Sequence, residues 1–354
     1  MSSQPKIIGN SDSKSDRQLK KYKDIMSYRN DATENEHNLL YRAAIVRVYD
    51  ASKRKEGYRV PMVHLVDLFS KDSMMVDWSE SSGLPWCEMK YDTKGQIRDD
   101  PEAIRQVRKF WHLVKDGDDV IFPDCLVHTQ NNKTAATSTV WTYPATVNFG
   151  EAVFTVGLLK AFSEQGDLGV MAYEYISSAD GRDRLRNRLH QQDRFFVRLN
   201  FDENSVPSWV IHEAFRILWS HIDFKQYAGG GVPDAEKMFR MLECIENYFI
   251  NTTIKLPNGL RLMKSCGIPR GSYFTLLVSS VVSLILLEYL SLHIDGTYTE
   301  DSVANGNECI ARISSYWDLD LCQRVIKKEF GITFNAPQCQ MSKNIKCIHF
   351  FKNT

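Results

Sequence analysis

Residues 266–290 read CGIPRGSYFTLLVSSVVSLILLEYL, a glycine-bearing loop that runs straight into an apolar stretch. From 274 to 290 that stretch is 17 residues long and holds three serines and Glu288. It falls short of the ~20 residues that span a bilayer, so its expected place is a buried helix rather than a membrane anchor. A helix apolar on every side needs protein on every side. The segments around it should therefore supply a core.

Working outward, Leu256-Pro257-Asn258-Gly259 has the composition of a hairpin turn between two apolar β-like runs. Residues 227–234 form a glycine-rich loop, which alone signals a hinge. Residues 195–201 (FFVRLNF) are strand-like, and from Val206 the apolar period switches to 3.6 with Pro207 near the first turn. Downstream, residues 319–330 are expected as a helix and 332–335 as a strand. Further upstream, 100–115 carries a helical stripe of Ala103, Ile104, Val107, Phe110, Trp111 and Val114. Residues 119–127 suggest a buried strand interrupted by Pro123, 130–139 a loop, and 149–162 a helix. The polar residues 1–36 are expected to be a flexible arm.

Hydrophobic residues make up 43% and charged residues 25% of the 354, which is globular and excludes a disordered chain. Lys plus Arg and Asp plus Glu stand at 44 each, so no global positive field draws the chain to a phosphate backbone. A nucleic-acid site would have to be a local groove. Eight cysteines lack any CxxC pair or matching histidine spacing, which points to reduced thiols rather than zinc. The amino terminus has no apolar secretory stretch, so the expected compartment is cytoplasmic and the sequons at Asn132 and Asn251 carry little meaning.

Three segments, in order, give these elements a family likeness: residues 140–154 (VWTYPATVNFGEAVF), 267–275 (GIPRGSYFT), and 318–321 (DLDL) leading to 330–335 (FGITFN). Together they resemble the RNA-dependent RNA polymerases of partitivirus-like double-stranded RNA viruses, over about residues 80–351. The resemblance implies an α+β fold of right-hand polymerase architecture, with fingers and palm present and the thumb missing. Its expected layout is an arm at 1–36, a fingers-type region at 37–194, and a palm at 195–351 interleaved with fingers at about 225–265. Residues 352–354 would be a tail, because the primer-grip hairpin starting near His349 and Phe350 has little chain after it.

The family's chemistry uses two Mg²⁺ ions about 3.5–4 Å apart, held by carboxylates from neighbouring palm strands. Hard Mg²⁺ needs charged oxygen donors. The family pattern LDFxxFDxxVPxW matches residues 199–209 here, where Asn200 stands at the metal-binding aspartate and the stretch to Pro207 is two residues shorter. Asp202 is either a displaced second aspartate or a loop and helix-start residue. The GDDS hallmark corresponds to Gly306-Asn307-Glu308-Cys309, so Asn307 and Glu308 replace its two aspartates. A competing alignment on residues 299–302 leaves the spacing to DLDL too long.

By the same resemblance Gly271, Ser272 and Thr275 remain at nucleotide-binding positions, Arg270 replaces a serine, and Ser279 stands where a ribose-reading Asp or Asn should be. The triphosphate-gripping basic residues correspond to Ala136 and Ser138, with Lys133 nearby. The general-acid lysine corresponds to Gln338. The expectation is a polymerase homologue without nucleotidyl transfer, in a viral segment or a viral gene resident in a host genome, with Mg²⁺ not productively bound and no small-molecule cofactor. Two other readings stay open. One is a binding module for single-stranded or double-stranded RNA, or for a capsid or polymerase partner, with Arg194, Arg198, Arg261, Lys264 and Arg270 lining a groove. The other is residual activity through Asp202, Glu308 and Asp301 with Mn²⁺. No membrane partner is expected.

Overall fold

The computed structural model describes residues 5–8, 23–34, 38–53, 58–70, 76–131, 137–178 and 180–349. Its strands, in chain order, are β1 (Lys6–Ile8), β2 (Val60–Met62), β3 (Cys125–Asn131), β4 (Thr137–Thr142), β5 (Phe195–Asn200), β6 (Ile222–Tyr227), β7 (Thr253–Lys255), β8 (Arg261–Met263), β9 (Asp301–Asn305), β10 (Glu308–Ile313) and β11 (Gln340–Ser342). The helices of twelve residues or more among the described residues are α1 (Leu39–Ser52), α2 (Pro101–Asp116), α3 (Ala145–Ser163), α4 (Ser208–Ser220), α5 (Ala235–Ile250), α6 (Thr275–Asp295) and α7 (Leu319–Phe330).

Two compact units share the chain. The first gathers residues 1–29, 60–157 and 222–275; the second gathers 30–59, 158–221 and 276–354. The sequence reading sets borders at 37 and 195 and interleaves a segment at about 225–265, and the first unit's last segment is 222–275.

In the first unit β1-β8-β7-β3-β4 form a mixed sheet in which only β3 and β7 run parallel, and β2 and β6 pair separately. Its core includes Ile25, Tyr28, Val127, Trp141, Tyr143, Tyr248 and Leu262. Helix α2 shows how sequence sets local structure. Asp100 caps it by accepting from the Glu102 N–H at 2.8 Å, Pro101 opens it, and Gly117 at φ +89° ends it. Ala103, Val107, Trp111 and Val114 form the buried stripe.

The second unit holds an antiparallel sheet, β11-β5-β10-β9. On one face Phe196, Val303 and Ile310 pack with Tyr175, Leu185, Leu189, Ile345 and Ile348. Helix α6 carries the chain from the first unit into the second. Every residue from Leu277 to Ser291 is buried, and so is 83% of its most apolar 18-residue window. Its apolar residues go into the core.

Four local expectations differ from the structure. The strand expected over 119–127 runs over Cys125–Asn131 instead, since Pro123 has no N–H to give a ladder. The loop expected over 130–139 belongs partly to the β3–β4 hairpin, where Gln130 faces Ser138 and Asn131 faces Thr137; β-branched threonines suit that pairing. Residues 332–335 make only one bridge, Phe334 to Phe201. Within the segment read as a flexible arm, Lys6–Ile8 pairs with β8, and Ile25 and Tyr28 are buried.

Candidate functional site

In the second unit the end of β5 lies beside the β9–β10 hairpin. Residues two apart on a strand share a face, so Arg198 and Asn200 point the same way, and the register puts Glu308 directly opposite Asn200. The hairpin turn is Gly306-Asn307, two residues between the paired Asn305 and Glu308, with Gly306 at φ +59°. Residues 299–302 lie at the start of β9, at the far end of that strand.

The side chains at this end are engaged with one another. Arg198 Nε and Nη2 donate to Glu308 Oε1 and Oε2 at 2.6 and 2.8 Å, a bidentate pair in which both residues are buried. Asn200 Nδ2 donates to Asn307 Oδ1 at 3.4 Å, and Asn307 Nδ2 donates back to Asn200 Oδ1 at 3.3 Å and to the Phe201 carbonyl at 3.0 Å. From α6, Ser283 Oγ donates to the Gly306 carbonyl at 2.9 Å and Ser280 Oγ accepts from the Gly306 N–H at 2.8 Å. The turn is thus held on both of its backbone groups.

Asp202 stands at the start of a short helical turn. It caps the short turn Glu203–Ser205 by accepting from the Asn204 N–H at 3.1 Å, and its other oxygen accepts from Thr333 Oγ1 at 3.4 Å. Its neighbour Glu203 accepts from Ser279 Oγ. The sequence contained the signal, unused: the family's second aspartate lies four residues before the proline, and four before Pro207 is Glu203. Gln338 is exposed at the end of the turn Ala336–Gln338, and its amide has no acidic proton to give. Asp301 is held by Arg188 at 2.6 and 3.0 Å.

The glycine loop, residues 267–275, belongs to the first unit and is organised around Glu151 of α3. This fully buried carboxylate accepts from Ser272 Oγ at 2.6 Å, the Tyr273 N–H at 2.8 Å and Asn148 Nδ2 at 3.1 Å. Burial pushes its acid group up to about 7, with those hydrogen bonds pulling the other way. Asn148 also donates to the Gly271 carbonyl at 3.0 Å, and Thr275 Oγ1 to the Pro269 carbonyl at 2.7 Å. Lys264, fully buried, donates to the carbonyls of Phe249, Ile250 and Gly267 at 2.6–2.9 Å. Burial lowers its ammonium to about 7.

Of the five cations expected to line an RNA groove, Arg194 pairs with Glu300, Arg198 with Glu308 and Arg261 with Asp124, and Lys264 is spent on carbonyls. Arg270 is exposed. Ser138 lies on β4, and Ala136 and Lys133 fall outside the described residues.

The profile of the viral RNA-dependent RNA polymerase family matches residues 1–334. The chain belongs to that family. An RNA-directed RNA polymerase of Cryptosporidium parvum virus 1 (strain KSU-1) is 34% identical over 88 residues, 25% of this chain and 15% of that protein. The crystal structure of the RNA-dependent RNA polymerase of a human picobirnavirus superposes at a TM-score of 0.65 with 16% identity, over 93% of this chain and 59% of that one. The fold is therefore that of a viral RNA polymerase of double-stranded RNA virus type, as the three motifs implied. The chain spans 15% of the curated relative and 59% of the solved structure.

Measured against what this polymerase family asks of divalent ions, the donors at the hairpin do not fit. Asn200 and Asn307 offer only amides, the adjacent acid Glu308 is gripped on both oxygens by a guanidinium, and no group of three or more His, Cys, Asp or Glu among the described residues could hold a metal ion. The amides also solve a physical problem. Two carboxylates about 4 Å apart repel by ~4 kcal/mol at an effective dielectric of 20 unless a cation sits between them, whereas two amides donate and accept in turn.

Proposed function

We propose that the chain is a polymerase homologue that has kept the fold of fingers and palm and does not carry out nucleotidyl transfer. One observation carries this reading: Asn200 and Asn307 hydrogen-bond each other where the reaction needs ionised ligands. An amide offers a dipole, not the charge that brings Mg²⁺ to an attacking hydroxyl. Each ion's contribution to such a reaction is several kcal/mol, and ~1.4 kcal/mol is tenfold in rate. Loss of both ligands therefore removes catalysis by orders of magnitude.

Primer extension on a primed RNA template, with Mg²⁺ and with Mn²⁺, tests this directly. No extension above a no-enzyme control is expected in either metal. Template-dependent extension by the unaltered chain would sink the reading. Weak use of Asp202, Glu308 and Asp301 with Mn²⁺ finds no support in the geometry, since each carboxylate is already committed to a different partner.

A further inference from the structure

We propose that Arg198 is the built-in cation of the palm hairpin, and that its grip on Glu308 bars a divalent ion from this end of the sheet independently of the two amides. This rests on the reading above and adds a second barrier to it. The functional reading needs only Asn200 and Asn307; here a neighbouring residue is assigned the role of excluding metal.

The argument starts from register. Arg198 and Asn200 share a face of β5, and Glu308 is the cross-strand partner of Asn200, so the guanidinium reaches diagonally to Glu308. It does so through two parallel N–H···O bonds of 2.6 and 2.8 Å, which engage both carboxylate oxygens. Side-chain exposures of 5% for Arg198 and 10% for Glu308 leave the pair dehydrated. A metal ion that used Glu308 would have to strip it from this fork and leave a guanidinium buried without its anion. Arginine stays charged at any working pH, so protonation change offers no escape.

The barrier is therefore placed on the acid that the sequence still provides. Restoring Asn200 and Asn307 to aspartate supplies two carboxylates, but the third ligand remains occupied and a fixed positive charge stays within a few ångströms. The prediction is counterintuitive for a site regarded as merely missing two aspartates: repairing the aspartates does not repair the metal site.

The test uses the full chain as wild type, N200D/N307D, and N200D/N307D with Arg198→Gln, which keeps a hydrogen-bond donor near Glu308. Binding of Mn²⁺ is read by electron paramagnetic resonance and by the shift of the thermal midpoint against EDTA. The triple variant is expected to bind Mn²⁺ at least tenfold more tightly than N200D/N307D, and N200D/N307D with Arg198→Lys, which keeps the charge, to bind as weakly as N200D/N307D. Equal Mn²⁺ affinity in N200D/N307D and the triple variant would overturn the proposal while leaving the functional reading intact. Primer extension by the wild type would fail that reading instead. If the triple variant unfolds in EDTA, recovery of a cooperative transition on adding Mn²⁺ supports the proposal, and an unfolded chain in both conditions refutes it.

Discussion

The β9–β10 hairpin and the glycine loop are both rich in polar side-chain hydrogen bonds, yet they are wired differently. At the hairpin Arg198 binds Glu308 and Asn200 binds Asn307, side chain to side chain, while Asn307 also reaches the Phe201 carbonyl and Ser280 and Ser283 hold the Gly306 backbone. In the loop the side chains mostly serve backbone: Glu151 receives the Tyr273 N–H, Asn148 reaches the Gly271 carbonyl, and Lys264 caps three carbonyls. A side-chain pair can be replaced as a set without stranding anything. A side chain that satisfies backbone cannot, because the backbone group stays. That difference makes Arg198 and Glu308 replaceable as a pair and Glu151 not replaceable with its partners.

The sharpest way to break this contrast is at the buried ion pair. Arg198→Met leaves Glu308 without its cation and should cost ~3–5 kcal/mol in urea unfolding, whereas Arg198→Met with Glu308→Leu should recover most of that loss. The matching pair in the loop, Ser272→Ala with Glu151→Leu, should show no recovery, because the Tyr273 N–H remains without its acceptor. If the two double variants behave alike, the wiring does not distinguish the regions.

Next in size are two pH dependences of opposite sign, both in the first unit. Glu151 is raised from an ordinary value of 4.5 to about 7. Between those values the folded chain holds a proton that the unfolded chain has released, so the Glu151 contribution to stability falls as pH rises from 4.5 to 7 and is flat above. Lys264 is lowered from 10.5 to about 7. There the unfolded chain binds the extra proton, so stability rises as pH climbs from 7 to 10.5. The swings are on the order of 3 kcal/mol for Glu151 and 5 kcal/mol for Lys264. Denaturant midpoints across pH 4.5–7 should flatten in Glu151→Gln, and those across pH 7–10.5 should flatten in Lys264→Met. Slopes that survive these substitutions would assign the titrations to other groups.

How far the sequence could lead follows from where each determinant sits along the chain. Helices α2 and α7 are legible because cap, stripe and stop all lie within eighteen residues or fewer. Gly306-Asn307-Glu308-Cys309 is placed only by family resemblance, and the two-residue turn at Gly306-Asn307 comes from the structure. Arg198 was read as a groove cation because its partner is 110 positions away, and nothing local distinguishes a solvated arginine from a buried one. Glu203 was passed over for Asp202 because a shortened loop shifts the count, and only the distance back from Pro207 corrects it. Nothing local to residues 140–154 marks Glu151, since its partners Ser272 and Tyr273 lie more than 120 positions on.

The smallest expected effect probes the loop backbone itself. Gly271 stands at φ +86°, in the left-handed region, and a Cβ there would lie 3.1 Å from the Tyr143 Cβ. Left-handed geometry costs a non-glycine residue roughly 1–2 kcal/mol, and the close approach requires Tyr143 to give slightly. Gly271→Ala should therefore lose about 1–2 kcal/mol with the fold intact. Gly259, also at positive φ but with nothing within 4 Å of its Cβ, separates the two causes. An equal loss in Gly259→Ala would mean that backbone conformation alone sets the effect, and a larger loss at Gly271 would show that packing on Tyr143 contributes to holding the loop.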